Sequence, residues 1–383
     1  MVMKVAILGF GTVGRGAYET TLKKPCDIRV KRILDLRVPA GYEGLVCTDY
    51  EEILRDPEIE IVAEVMGGLH PAYEYVTAAL RAGKHVVSAN KHLICTYYRE
   101  LRDLAAAVGR ELRFTPAAGG GIPWLFNLQR AARCDEILSL RGIMNGTTNY
   151  ILDAMQTFGS DFGEVLAAAT ELGYAERDPS ADIDGTDVCR KCAISASLAF
   201  GTVLGEADVP TFGIRRITAE DIRYFASVGL VCKLLAFAFS EGDAVSAYVE
   251  PTLLPADAIE AAVGSNFNCI SLVGRQVGCL SFMGQGAGAG PTGSALVSDM
   301  LDIAAGVRMT GIAPTEKKVI HTLHPHRYYV RTTATVPTSV TERRDGGAVI
   351  TRPLTRTEMH ALAEELLQND PQTFVAGMEE DIE

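Results

Sequence analysis

Several absences in the 383-residue chain each remove a class of protein. No apolar run reaches the roughly 20 residues needed to cross a bilayer as a helix, so membrane spans are not expected. There is no basic excess: 36 Lys and Arg face 48 Asp and Glu, the formal net charge is -12, and no basic patch stands out. A nucleic-acid partner is therefore not expected. The opening stretch MVMKVAILGFGTVG has no signal-peptide layout, because its apolar run is short and breaks at glycines; a cytoplasmic location is the expectation. A disulfide framework is missing as well. Nine cysteines, an odd number, are scattered over a long chain, which fits reduced thiols. Cys189 and Cys192 form a CxxC with no second pair to complete a zinc site, so core packing is expected of them.

What is present begins with alternation. Residues 4–8, KVAIL, form an apolar strand that runs into Gly9-Phe10-Gly11-Thr12-Val13-Gly14 and then a helix to about Thr21. Glycines there allow a tight turn, close approach to a pyrophosphate and tight helix packing, with the helix amino terminus facing the phosphates. A second strand, Val30 to Leu34, ends in Asp35, where an acidic residue grips an adenine ribose in NAD sites. Asp35 favours NAD, whereas Arg37, with Lys31 and Arg32 nearby, suits the 2′-phosphate of NADP; the choice stays open. Strands at Glu58–Val65, Lys84–Ser88 and Glu111–Thr115 alternate with helices at Pro71–Ala82, Tyr97–Ala107 and Pro123–Ala132. The pattern predicts a Rossmann-type, doubly wound parallel sheet of the α/β class, with ligands beyond the carboxyl ends of its strands. Gly9, Gly67, Ser88, Lys91 and Gly119 all follow or close strands, so they lie at that edge.

After Ala132 the pattern changes to a strand at Ile137–Met144, the polar cluster Asn145-Gly146-Thr147-Thr148-Asn149, and a helix from Tyr150 to Phe158. The cluster can bind a carboxylate or simply cap the helix. Gly173 to Cys192 then packs Glu176, Asp178, Asp182, Asp184 and Asp187 ahead of Arg190 and Lys191. Asp184 reads as a helix cap. Asp187 and Lys191, four apart, share a helix face, either as a surface ion pair or as an acid–base pair. Beyond lie a helix over about Thr218–Ser240 and strands at Ala244–Leu253, Cys269–Val273 and Gly278–Met283, read as an open sheet in a second, α+β unit for substrate and dimerisation. A glycine-dense loop, Gly284–Gly293, leads into an apolar helix ending near Ala305. The tail carries one clear strand, Tyr328–Val336, one helix, Thr355–Gln368, and an acidic end expected to be disordered. The expected division is 1–135, 136–285, a returning helix in 286–320, and a short tail, 321–383.

GFGTVGRG at the start, SANK at 88–91, AAGGGIP at 117–123, MNGTTNYIL at 144–152, GYAERDPSADIDGTDVCRK at 173–191 and GQGAGAGPTGSAL at 284–296 occur in an order that resembles homoserine dehydrogenase over roughly residues 3 to 315. The resemblance implies reversible, NAD- or NADP-dependent reduction of L-aspartate 4-semialdehyde to L-homoserine, by a homodimer or homotetramer. It implies Lys191, Asp187 and Lys91 as catalytic residues, with the proton donor open between the two lysines. It implies substrate contacts from Glu176, Asp182, Asn145, Thr147 and Tyr174. Nucleotide contacts fall on Gly9, Gly11, Thr12, Val13, Gly14, Asp35, Arg37, Gly67, Ser88, Lys91 and Gly288. A Na+ or K+ ion is implied at Ala118, Gly120 and Ile122, although Thr115 stands where the family often has a glutamate. The family's GPGAG is GQGAG here. Longer relatives carry a threonine-sensing ACT domain, and a tail of about 55 residues is not expected to build a full one. Other readings are a different small-carbonyl dehydrogenase on this scaffold, or a dinucleotide sensor without catalysis; a sensor has no need of Glu176, Asp187, Lys91 and Lys191 together.

Overall fold

A computed structural model describes residues 2–24, 26–308, 312–345 and 347–379. The chain divides into two compact units. One comprises residues 1–135, 197–205 and 284–314; the other comprises 136–196, 206–283 and 315–383.

The first unit is built on strands β1 (Met3–Leu8), β2 (Ile28–Leu34), β3 (Val46–Cys47), β4 (Ile59–Glu64), β5 (His85–Ser88) and β6 (Leu112–Arg113). All pair in parallel, in the order β3-β2-β1-β4-β5-β6, with the switch point beside β1. Helices α1 (Thr12–Lys23), α2 (Tyr50–Leu54), α3 (Ala72–Arg81), α4 (Lys91–Val108) and α5 (Trp124–Ala132) cover it. This is the doubly wound sheet the alternation predicts. One helix begins earlier than expected. Asn90 caps α4, so Lys91 is its first residue rather than part of a loop, and the expected start near Tyr97 is a kink inside it.

The second unit runs through β7 (Ile137–Ile143), α6 (Gly146–Phe158), α7 (Phe162–Glu171), α8 (Ser180–Ile183), α9 (Thr186–Phe200) and α10 (Ala219–Ser227). Strands β8 (Leu230–Glu241), β9 (Ala244–Pro255), β10 (Phe267–Gly274) and β11 (Gly278–Gln285) follow. The single helix expected over Thr218–Ser240 is wrong. It stops at Ser227, Gly229 takes φ +76°, and the apolar run LVCKLLAFAF becomes strand β8, paired with β9 along its length. A continuous apolar run buried on both faces looks alike as helix or strand, and pairing with β9 decides it.

The chain then returns to the first unit as α11 (Ala289–Ala304), whose Leu296, Val297, Met300 and Ile303 join the core under β1 and β2. The tail holds more than the one strand and one helix expected. Beyond the short β12 (Lys318–Val319) come β13 (Tyr328–Arg331), β14 (Thr341–Asp345), β15 (Ala348–Thr351), α12 (Arg356–Asn369) and β16 (Phe374–Met378). Together with β7 to β11 they make one mixed sheet in the order β11-β10-β7-β8-β9-β16-β13-β15-β14, with β12 also on β9. Counted within the tail, β16-β13-β15-β14 is the 4-1-3-2 order of a split βαβ fold, with a loop where its first helix belongs. Strands as short as four residues carry little periodicity, which is why three of these escape sequence reading. Most of the acidic end, from residue 380, lies outside the described residues.

Candidate active site

At the end of β1, Gly9 takes φ +102°, a conformation costly for any side chain. A Cβ on Gly14 would run into the Gly9 carbonyl, so α1 sits tight on the turn. Gly11 faces open space, Thr12 is exposed, Val13 is half-buried, and no side chain caps α1. First-turn N–H groups and the positive helix end are therefore available to an anion such as a pyrophosphate. The residues fit a nicotinamide dinucleotide.

Asp35 closes β2 with its carboxylate fixed by two backbone donors, Phe10 N–H at 2.7 Å and Arg37 N–H at 3.0 Å. Of the basic residues near it, Lys31 pairs with Asp56 and Glu58, both at 2.5 Å, and Arg32 donates to the Lys31 and Gly44 carbonyls. Arg37 is exposed and has no ion-pair partner among the described residues.

The neighbouring strand ends are organised by a residue sequence reasoning missed. Glu64, fully buried, accepts from Ser88 Oγ at 2.7 Å, Met66 N at 2.9 Å and Asn90 Nδ2 at 3.3 Å. Burial pushes its pKa up. Asn90 Nδ2 also reaches the Gly68 carbonyl at 2.7 Å, while its Oδ1 caps α4. The Ser88 hydroxyl thus frames the edge instead of facing outward, and Asn90 sets the helix start that carries Lys91. A charged residue closing the apolar strand IVAE was the available signal. Gly67 and Gly288 have φ +76° and +118°, so both turns depend on glycine, and Gly288 caps α11.

The turn after β6 offers backbone carbonyls to a cation but no carboxylate of its own. Thr115 N–H donates to Asp299 Oδ2 at 3.0 Å, and the Ile122 carbonyl already accepts from Trp124 N–H at 2.7 Å. Asp299 is buried, its pKa pushed up to about 6 by desolvation. Among the described residues no cluster of three or more His, Cys, Asp or Glu suits a metal. Ala118, Gly120 and Ile122 have only main-chain carbonyls to offer a monovalent cation, and no chemical step is routed through one.

In the second unit, α9 brings Asp187 and Lys191 to one buried place. Lys191 Nζ donates to Asp187 Oδ2 and to the Met144 carbonyl, both at 2.7 Å. Asn145, the cap of α6, donates from Nδ2 to Asp182 Oδ1 at 2.6 Å and to Asp187 Oδ2 at 2.9 Å. Its Oδ1 accepts from Thr148 N–H at 2.8 Å. Thr147 Oγ1 donates to the Tyr174 carbonyl at 2.6 Å, and the Tyr174 ring meets Tyr150 edge-on. Glu176 is exposed and forms no hydrogen bond with a described residue. Asp184 does not reach this cluster: it ends α8 and forms a bidentate pair with Arg215 at 2.6 Å. Cys189 and Cys192 are buried, and burial pushes the Cys189 thiol up to about 11, which disfavours its thiolate.

A dinucleotide turn in one unit and a lysine–carboxylate pair steered by an amide in the other make the chain an oxidoreductase that uses a nicotinamide dinucleotide. A family model described as "Homoserine dehydrogenase, NAD binding domain" matches residues 9–115, and one described as "Homoserine dehydrogenase" matches 123–301. The homoserine dehydrogenase of Synechocystis sp. is 40% identical over 85% of this chain and 79% of its own. That of Corynebacterium glutamicum is 41% identical over 82% and 74%. The crystal structure of a homoserine dehydrogenase from Thiobacillus denitrificans matches with TM-score 0.88 and 29% identity, covering 99% of this chain and 98% of that one. The chain belongs to the homoserine dehydrogenase family, whose enzymes interconvert L-aspartate 4-semialdehyde and L-homoserine with NAD(P).

Proposed function

We propose that Lys191 is the proton donor and acceptor of this reaction and that Asp187 orients it. When bound, the nicotinamide supplies or accepts the hydride. In the direction of reduction, negative charge grows on the aldehyde oxygen, and the Lys191 ammonium stabilises it and gives up a proton. In the reverse direction the Lys191 amine takes the hydroxyl proton. Asp187, held by Asn145, keeps the lysine in place through both. Glu176 and Asp182 grip the substrate ammonium, and Thr147 and Tyr174 bound the same pocket. Lys91 provides a second positive charge at the nucleotide edge. The observation that carries this reading is the single hydrogen-bonded run Asp182–Asn145–Asp187–Lys191.

Both nucleotides are used, with NAD preferred: the anchored Asp35 carboxylate suits a ribose hydroxyl, and Arg37 offsets the charge of a 2′-phosphate. The enzyme works in the cytoplasm, on the route to threonine and methionine, as a homodimer or homotetramer. Support for self-association comes from β11, a sheet-edge strand that leaves Leu280 and Met283 exposed. Light scattering on the purified chain is expected to give an even multiple of 41.1 kDa; a monomer at micromolar concentration contradicts it. The activity is tested by following reduced-nicotinamide absorbance with L-homoserine near pH 9. A rise with NAD, and a smaller one with NADP, is expected; no change with either overturns the reading.

A further inference from the structure

Lys233 is a buried charge that the mechanism leaves unused. It lies on β8 opposite Thr252 of β9 and is 2% exposed. Its ammonium donates to Asn149 Oδ1 at 3.0 Å and to the Val263 carbonyl at 2.7 Å, neither of them a carboxylate. Burial lowers its pKa, with the Asp153 charge acting in the opposite sense. A buried cation with only neutral acceptors costs stability, and an apolar side chain of similar volume would pack there at less cost.

Its partner connects it to the substrate cluster. Asn149 lies one helical turn beyond Asn145 on α6 and donates from Nδ2 to the carbonyls of Val263 and Ser265, both at 3.0 Å, and Phe267 at 3.1 Å. One turn further, Asp153 accepts from Ser265 N–H at 2.7 Å. At the first position of α6, a Cβ on Gly146 would come within 2.6 Å of the Asn266 carbonyl oxygen, so helix and loop touch backbone to backbone. The loop over residues 263–267 therefore wraps the first turns of α6, and Lys233 closes the clamp from the sheet side. The cap at the head of that helix is Asn145, which bridges Asp182 and Asp187.

We propose that Lys233 is a positioning residue for the dehydrogenase reaction: through Asn149 and the 263–267 loop it sets the amino end of α6, and with it the aim of Asn145 on Asp187 and Lys191. The inference rests on the reading of Asn145, Asp187 and Lys191 as the acid–base cluster.

The test is a double-mutant cycle in the full-length enzyme, with kcat, both KM values and the pH profile of kcat measured for Lys233→Met, Asn145→Ala and the pair. Lys233→Met is expected to lower kcat about tenfold or more, shift the pH profile and leave the nucleotide KM nearly unchanged, and the double variant should be no slower than Asn145→Ala alone. A wild-type kcat and pH profile in Lys233→Met overturns the proposal, and so do losses that multiply in the double variant. If Asn145→Ala itself keeps wild-type kcat, the cluster reading falls first and takes this inference with it. Should Lys233→Met fail to fold, Asn149→Asp carries the test. It keeps an acceptor for Lys233 but removes the donors to the loop; the same loss of kcat is expected, and wild-type kcat overturns the proposal.

Discussion

A lysine ammonium passes its proton well only when it is aimed, and Lys191 is held from two sides, by Asp187 and by the Met144 carbonyl. Lys191→Ala removes the group proposed to meet charge on the reacting oxygen. It is expected to lower kcat by about 10²–10³-fold while nucleotide affinity is kept; an unchanged kcat takes Lys191 out of proton transfer. Asp35 supports a second prediction at the same scale. Its carboxylate is fixed by two backbone donors, so under the proposed nucleotide contact it would repel a 2′-phosphate. Asp35→Ser should raise the NADP-to-NAD ratio of kcat/KM, with Arg37 then free to bind the phosphate. A ratio that stays put, or falls, assigns nucleotide choice to other residues. Lys31 and Arg32, which stand near Arg37 in the sequence, are committed to other partners and should not move that ratio when changed.

The first helix shows how an element depends on glycine in two different ways. A Cβ on Gly16 would strike the Ala289 carbonyl, where α11 crosses α1, whereas one on Gly11 meets open space. Gly16→Val should therefore lower stability, by about 1–3 kcal/mol or more from overpacking, seen as a lower melting temperature even without nucleotide. Gly11→Ala should leave the melting temperature nearly unchanged and weaken NAD binding instead, since it fills open space that the proposed reading gives to phosphate; titration by fluorescence separates the two. The same contrast explains what the sequence could reveal. Glycine spacing, strand–helix alternation and the acid-rich loop before α9 are local patterns, so the parallel sheet and the Asp187–Lys191 pair were legible. Strand β8 was not, because a helix and a doubly buried strand share its composition until β9 lies beside it. Glu64 was missed and Asn145 only half legible, as a cap or a substrate contact, because their work depends on partners 24 to 42 residues away.

Across the whole chain, the seam between the tail and the second unit's sheet concentrates titratable groups. Four of the seven histidines lie on or beside it: His321, His324, His326 and His360. His326 Nε2 meets the buried Glu250 at 2.8 Å, and Arg356, itself buried, bonds Tyr248 Oη and the Leu323 and His324 carbonyls. His360 stacks on Phe212 at 4.0 Å between ring centroids. Burial lowers the pKa of His321, with Arg356 adding to the fall and Asp208 opposing it. Burial lowers that of His360 too, with His321 adding and Glu250 and Glu364 opposing. Both are depressed below the ordinary value of 6.5, so the unfolded chain binds protons the folded one refuses, and stability rises with pH through that value. Asp299, in the other unit, acts in reverse: raised from 3.8 to about 6, it favours the folded state at low pH and loses that effect as pH climbs to about 6. Asp299 opposes the histidines below about pH 6; above it the Asp299 contribution no longer changes, and the depressed histidines, His85 among them, outnumber the raised Glu64 carboxyl that still opposes them. The melting temperature should therefore change little between about pH 5 and 6 and rise by about 2–4 °C between about pH 6 and 7.5. His360→Phe, which keeps the ring stack and removes one titrating group, should shrink that rise. A melting temperature that falls over the upper interval, or a slope that His360→Phe leaves intact, would place the acid sensitivity of the fold somewhere other than this seam.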